Sequence, residues 1–166
     1  MVLITWARRD VDSSALAGKE RDTLQLTWEE RRWTRRRAVT TAGREVALAL
    51  ATGSALRAGD IVAIEPTWYL AVEARAEPVL AAFPGDRREA VRVAFDVGNR
   101  HFPLALDGDA LLVPDDLAME QLLTRLGVRW ERREAIYEPV GGAGHDHGSG
   151  TSPLDGHVHA PGLGGR

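Results

Sequence analysis

The five histidines are the residues of this 166-residue chain whose number and spacing most clearly predict chemistry. Four of them form two His-X-His pairs, His145-Asp146-His147 and His157-Val158-His159. In an extended chain the side chains of residues i and i+2 point the same way, so both imidazoles of a pair can reach one metal ion. Short histidine-rich tracts are typical of metal binding. We therefore predict that these four histidines bind metal, rather than forming a solvated low-complexity tail or the remnant of an affinity tag.

The fifth histidine, His101, has a different setting, directly after Gly98-Asn99-Arg100 at the predicted end of a helix. It can simply be a hydrogen-bonded helix-end residue, because the helix dipole stabilises its cation there. One histidine alone is a poor metal site. A two-fold dimer, however, would place His101 twice across its axis, and the two copies could bridge one ion with tail histidines as further ligands. The residues alone leave both interpretations open.

The residue types and motifs that the sequence lacks narrow the chemistry further. Cysteine is absent, which excludes disulfides, thiolate zinc sites and cysteine nucleophiles. A tightly bound transition metal must therefore use histidine, carboxylate or backbone ligands, and imidazole suits nickel, copper and zinc. The sequence contains no phosphate-binding glycine loop, no nucleophilic-serine motif and no zinc-protease motif. We predict a metal-binding protein that is not an enzyme.

Charge and hydropathy indicate which partners to expect. The net charge is −3, whereas a dedicated nucleic-acid binder is usually clearly basic. Residues 31–37 contain five arginines and Trp33, which we interpret as a docking surface for an acidic protein partner rather than for nucleic acid. No apolar run approaches the ~18 residues that span a bilayer, and the first residues do not resemble a signal peptide. We expect a cytoplasmic protein that does not bind membranes.

Residues 1–74 are predicted to form a small β-rich domain. Residues 24–28 and 46–50 alternate apolar and polar side chains, the period of a half-buried strand. Ile61–Ile64 is typical of a short buried strand, and glycines at turn positions separate these runs. Because no segment before residue 75 has a convincing helical period, we expect a mostly antiparallel β unit.

Residues 75–138 are predicted to alternate strands and helices. Asp86 and Glu89 form a capping box at the start of a first helix, which Gly98-Asn99 ends. A strand over residues 102–106, a turn at Asp107-Gly108 and a returning strand follow. A second helix begins after Pro114 and ends at Gly127. One face of the first helix carries Val91, Ala94, Phe95 and Gly98, and the buried face of the second carries Met119, Leu122, Leu123 and Leu126.

This order of elements, β-α-β-β-α-β, is that of a ferredoxin-like domain. The remaining residues, 139–166, are rich in glycine and contain the four paired histidines. A segment of this composition cannot offset its ordering entropy, so we predict a flexible, disordered tail. The predicted fold class is α+β, with a β-rich N-terminal domain, a ferredoxin-like domain and this histidine-containing tail.

Several segments, in the same order along the chain, resemble the UreE family of urease accessory metallochaperones. They are Gly98-Asn99-Arg100-His101 with Pro103 after it, the stretches over residues 26–32 and 43–48, Leu56-Arg57-Ala58-Gly59-Asp60, Glu77-Pro78-Val79-Leu80 and the histidine-bearing tail. The resemblance extends from about residue 24 to the tail. It implies a homodimer of a peptide-binding-like N-terminal domain and a ferredoxin-like metal-binding domain.

The resemblance also implies a function. His101 would be the metal ligand at the dimer interface, and His145, His147, His157 and His159 would add capacity or assist transfer. The cargo would be Ni²⁺, delivered towards apo-urease through the urease accessory GTPase. With only four tail histidines, we expect delivery rather than bulk storage. The alternative is a zinc- or copper-binding storage or sensor protein without a delivery partner, because imidazole does not select among these metals and raw affinity favours Cu²⁺ over Ni²⁺.

Overall fold

The computed structural model describes residues 1–140, which form ten strands, three α-helices and one 3₁₀ turn. The prediction of an α+β fold is confirmed. Along the chain the elements are β1 (Val2–Ile4), α1 (Ser13–Leu16), β2 (Glu20–Leu26), the 3₁₀ turn (Glu30–Arg32), β3 (Arg35–Val39), β4 (Glu45–Ala49), β5 (Ile61–Ile64), β6 (Trp68–Ala74), β7 (Ala76–Phe83), α2 (Arg87–Gly98), β8 (Ala105–Asp107), β9 (Ala110–Pro114), α3 (Leu117–Leu126) and β10 (Arg129–Ile136).

The N-terminal half consists of two three-stranded sheets, ordered β1-β4-β3 and β2-β6-β5. Each sheet contains one parallel pair, β1 with β4 and β2 with β6, beside one antiparallel pair. The prediction of a mostly antiparallel unit is therefore wrong. The alternating pattern sets which side chains face inward, but it does not specify the partner strand or its direction. The one-turn helix α1 was not predicted from the sequence. Its N-cap is Asp12, whose side chain accepts from the Ser14 N–H.

Apolar side chains from both N-terminal sheets pack into one core. Their inward faces supply Ile4, Leu24, Val46, Leu48, Val62, Leu70 and Val72, all buried. Strands β1 and β4 contribute from one sheet, and β2, β5 and β6 from the other. The burial of the apolar positions of residues 24–28 and 46–50 follows the period-two pattern that predicted these strands.

The C-terminal half forms an antiparallel four-stranded sheet, ordered β10-β7-β9-β8. The chain order β7-α2-β8-β9-α3-β10 with this strand order confirms the ferredoxin-like prediction. Both helices pack on one face of the sheet. The core between them contains Leu80, Ala82, Val93, Val97, Leu111, Val113, Met119, Leu122 and Leu123.

Helix α2 begins as predicted but packs through a different face. Asp86 Oδ1 accepts from the Glu89 N–H at 2.8 Å, and Glu89 Oε2 accepts from the Gly85 N–H, so the return bond of the predicted capping box goes to the residue before the N-cap. The buried residues are Val93 and Val97, whereas Val91 and Phe95 on the predicted face are 63% and 67% exposed. The helix carries two apolar stripes, and only the sheet beneath it determines which of them is buried.

Helix α3 and the preceding hairpin agree closely with prediction. Met119, Leu122 and Leu123 are buried, and Gly127 ends α3 in the left-handed conformation at φ +70°. The predicted strand over residues 102–106 is shorter, because ladder pairing begins only at Ala105. Phe102 and Leu104 instead pack, half-buried, against the core beneath the helices. Within residues 1–140 no helix has the length and apolar character required to cross a membrane.

Candidate metal site around His101

His101 lies at the last residue of the turn that follows α2. Successive N–H groups of this turn point back into the helix end: Asn99 donates to Phe95 O, Arg100 to Val97 O and His101 to Gly98 O. The Phe102 N–H also donates to Val97 O, so the turn is fully hydrogen-bonded. The backbone therefore holds the exposed His101 side chain at a defined position, outside the core.

His101 is the only non-glycine residue within residues 1–140 with a positive φ, at +60°. A side chain with a Cβ is disfavoured in this left-handed region by about 1 kcal/mol, although histidine tolerates it better than most residues. The sequence predicted Gly98-Asn99 as the helix stop, and α2 does end at Gly98. The left-handed residue, however, is His101 and not the glycine. Such local strain is a recognised signature of functional positions.

A cleft of about 320 Å³ opens beside His101. Residues from both halves of the chain line it: Trp28, Glu29, Glu77, Pro78, His101, Phe102, Pro103, Pro114 and Tyr137. Tyr137 Oη donates to Pro103 O at 2.6 Å, which ties the segment after His101 to the end of β10. This hydrogen bond fixes one wall of the cleft within the C-terminal half.

Two of the polar groups that line this cleft, those of Glu77 and Tyr137, are hydrogen-bonded within the protein. Glu77 Oε1 accepts from the Trp28 N–H at 2.7 Å, and burial raises the pKa of Glu77. Burial, with a smaller contribution from the Glu77 charge, also raises the pKa of Tyr137. The Trp28 and Tyr137 rings meet edge to face, with centroids 5.8 Å apart. These groups position the walls of the cleft, and His101 is its one exposed imidazole.

Residues 1–140 contain no group of three or more histidine, aspartate or glutamate side chains arranged to hold a metal ion. A metal site at His101 would therefore need ligands from outside residues 1–140 or from another chain. The predicted ligands His145, His147, His157 and His159 lie outside the described residues. The last described residues pass close to the His101 segment, because the Val140 N–H donates to Leu104 O at 2.8 Å and Pro139 pairs with Ala105.

Helix α2, which ends just before the His101 turn, carries an exposed apolar patch. Val91 and Phe95 lie one turn apart on the same face, and both side chains are mostly exposed. Leu117, at the start of α3, is also exposed. Apolar side chains grouped on a surface in this way are typical of a protein interface.

Reasoning from the sequence identified His101 but missed the residues around it. Trp28, Glu77 and Tyr137 are far apart in the chain, and nothing in their local patterns indicates that they meet. The burial of Arg31 was also missed. Its guanidinium donates to Glu138 Oε1 at 2.8 Å and to Tyr137 O at 3.1 Å, so one of the five clustered arginines joins the two halves of the chain.

Comparison with known proteins agrees with this architecture. A family model described as the UreE urease accessory protein N-terminal domain matches residues 7–75, and one for the C-terminal domain matches residues 77–162. The urease accessory protein UreE of Rhodobacter capsulatus is 38% identical over 146 residues, which cover 84% of this chain and 87% of the relative.

Two further relatives are longer than this chain. UreE of Cupriavidus necator is 42% identical over 128 residues, covering 75% of this chain and 67% of the relative. UreE of Ralstonia nicotianae is 38% identical over 128 residues, covering 75% of this chain and 61% of the relative, which is less than two thirds of its length. Since both halves match in order and the relatives exceed 30% identity, this chain belongs to the UreE urease accessory protein family.

Proposed function

We propose that this protein is a nickel-binding chaperone that delivers Ni²⁺ for assembly of the urease active site. Membership of a urease accessory family supports a role in urease maturation. The observation that carries the nickel proposal is His101, an exposed imidazole held on a hydrogen-bonded, left-handed turn directly after α2, the helix that exposes Val91 and Phe95. A fixed imidazole next to an interface-like surface suits a metal shared between two copies of the chain.

The proposed carrier is a homodimer in which Val91 and Phe95 pack across a two-fold axis. Two His101 side chains then bridge one Ni²⁺, and the tail histidines His145, His147, His157 and His159 supply further ligands. Delivery proceeds by ligand exchange, first from tail to bridge and then to the urease accessory GTPase and the apo-urease accessory complex. No covalent chemistry is needed, and the cytoplasm is the proposed compartment.

The dimer is tested by Phe95→Asp. Burying one phenylalanine at an interface contributes about 2 kcal/mol to the free energy of association. Because the dimer is two-fold symmetric, one substitution removes this contribution from both chains. We expect the dimer dissociation constant to rise by at least about 100-fold, measured by analytical ultracentrifugation. Val39→Asp is the matched control, because Val39 is 63% exposed on β3, in the N-terminal half of the chain. A monomeric parent chain, or equal weakening by both variants, would contradict the proposal.

The nickel proposal is tested by calorimetric titration of Ni²⁺, Zn²⁺ and Cu²⁺ into the full chain and a chain ending at Val140. The truncated chain keeps the bond from Val140 to Leu104 and the described cores, so it should fold. We expect nickel stoichiometry to fall while one tight ion per dimer remains. If truncation abolishes tight binding, the two His101 side chains do not hold Ni²⁺ tightly without the tail, and the proposed bridge is contradicted.

Delivery needs a separate measurement. Ni²⁺ should strengthen the complex between the full chain and the urease accessory GTPase, measured by sedimentation of the mixture with and without metal. Zn²⁺ and Cu²⁺ serve as comparison ions. A complex that forms equally with Zn²⁺ or Cu²⁺, or no complex at all, would favour the storage or sensor alternative.

A further inference from the structure

A groove lined by arginines lies on the other side of Trp28 from the His101 cleft. Its first section, about 270 Å³, is lined by Trp28, Leu56 and Glu138 together with Arg9, Arg31, Arg32 and Arg57. A second section, about 390 Å³, shares Arg9, Leu56 and Arg57 and continues past Trp6 and Ser54. We call the two sections together the arginine groove. Its elongated form suits an extended peptide rather than a compact ligand.

Three separate chain segments are fixed together to build this groove. The Leu56 N–H donates to Arg31 O at 2.8 Å, which holds the loop after β4 against the 3₁₀ turn. The buried Asp60 accepts from the Arg57 N–H at 2.7 Å and from Arg9 Nε at 3.1 Å. These hydrogen bonds fix the backbone that carries the arginines, so the groove is formed before a ligand binds and little ordering is required on binding.

The charges of the groove are unbalanced. Arg31 pairs with Glu138 and Arg9 pairs with Asp60, but Arg32 and Arg57 form no ion pair within residues 1–140. The groove thus carries an excess positive charge on a chain whose net charge is −3. The Arg32 guanidinium lies over the Trp28 ring, 4.6 Å from its centroid, so its position is restrained before any partner arrives.

The groove already binds one carboxylate. Arg31, with its side chain almost fully buried, donates to Glu138, whose side chain is more than half exposed. Arginine binds carboxylates through directed, charge-assisted hydrogen bonds, and Arg32 and Arg57 offer the same donors further along the groove. We propose that the arginine groove binds an extended acidic segment of a partner protein. This inference does not depend on nickel binding at His101.

Nucleic acid fits the groove less well than an acidic peptide. Single-stranded nucleic acid needs free aromatic faces on which bases can stack. The Trp28 ring is covered by Arg32 and contacts Tyr137, and Arg8 lies over Trp6 at the other end of the groove. A peptide of alternating glutamates needs only the guanidinium groups. A segment bound there would be separated from the His101 cleft by Trp28, which lines both.

The test is fluorescence anisotropy of the full chain with a short labelled peptide that alternates Glu and Ser. Arg32→Gln combined with Arg57→Gln should weaken binding by about 10-fold or more, the combined loss of two exposed ion pairs. Arg35→Gln combined with Arg37→Gln is the matched control. It removes the same charge from exposed arginines of β3 that do not line the groove.

The outcomes separate the possibilities. The proposal is supported if the groove variant loses binding and the control variant retains it. The same peptide with Gln in place of Glu should not bind. Equal loss in both variants would mean that only overall charge matters and would overturn it. A labelled single-stranded oligonucleotide that binds more tightly than the acidic peptide, and is lost in the same groove variant, would also overturn it.

Discussion

His101→Gly is expected to remove the strongest nickel site while leaving the protein folded. One substitution deletes both bridging imidazoles of the proposed dimer. Loss of an outer-shell partner alone typically costs ~10–100-fold in metal affinity, so loss of two direct ligands should weaken the tight site by more than about 100-fold. Because His101 has φ +60°, glycine removes the Cβ strain at this turn and should not destabilise the fold. Calorimetric titration with Ni²⁺ and urea unfolding measure the two effects.

His101→Ala separates metal loss from backbone effects. Alanine keeps the Cβ at φ +60°, so this variant should be less stable than His101→Gly by up to about 1 kcal/mol. Both variants should nevertheless lose the tight site equally. Arg100→Gln alters a neighbouring exposed side chain of the same turn and should leave nickel affinity nearly unchanged. Tight binding that survives both His101 substitutions would exclude His101 from the site.

Asp22→Asn should be the most destabilising change in the N-terminal half. The Asp22 side chain lies on β2, is buried, and accepts from five donors, most of which belong to the turn between β3 and β4. They are the N–H groups of Thr23 and Ala42, the hydroxyls of Thr40 and Thr41, and Nη1 of Arg44. An amide puts an NH₂ group where only donors are present. We expect a loss of about 3 kcal/mol in the free energy of unfolding, as for other broken buried pairs.

The Asp22 carboxylate also makes the free energy of unfolding depend on pH in the acidic range. Burial alone would raise the pKa of Asp22, but the hydrogen bonds from Thr40, Arg44, Ala42 and Thr23 outweigh it and lower the pKa from 3.8 to about 2. The unfolded chain therefore takes up this proton before the folded one does. The stabilisation is present above about pH 4 and is lost as the pH falls towards about 2.

Urea unfolding of the parent chain and Asp22→Asn over this pH range checks both effects. The difference in free energy of unfolding between the two proteins should shrink as the pH falls, because protonation cancels the advantage of the carboxylate. Asp10→Asn removes the same charge from an exposed carboxylate without a hydrogen bond or ion pair in residues 1–140, and should change little. A difference that stays constant with pH would show that the Asp22 charge is not the cause.

The ferredoxin-like half could be predicted from the sequence because its signals are local. The Asp86–Glu89 capping box, the turn at Gly108 and the stop at Gly127 each act within a few residues. The buried face of α3 follows from a single strong apolar stripe. Where local propensity, pattern and turn chemistry agree, the fold follows from them.

The N-terminal half and the candidate site depend on contacts between distant residues. The pairings of β1 with β4 and of β2 with β6 join strands far apart in sequence, and an alternating pattern does not specify their direction. The cleft beside His101 needs Trp28, Glu77 and Tyr137 to meet. The left-handed conformation of His101 was not predictable either, because Gly98 nearby is the residue that prefers it on intrinsic grounds.

The hydrogen bond from the Val140 N–H to Leu104 O fixes the position of the last described residue, from which the chain continues to the remaining histidines. Leu104 follows His101 by three residues, so the chain that carries the remaining histidines starts within about 10 Å of the His101 turn. A chain extends by at most ~3.5 Å per residue, so His145 can lie no more than about 18 Å from Val140 and His159 no more than about 65 Å from it. Short tethers keep a ligand at an effective local concentration in the millimolar range. In the proposed mechanism, a tail histidine pair therefore passes Ni²⁺ to His101 of the same chain in a step that does not depend on protein concentration.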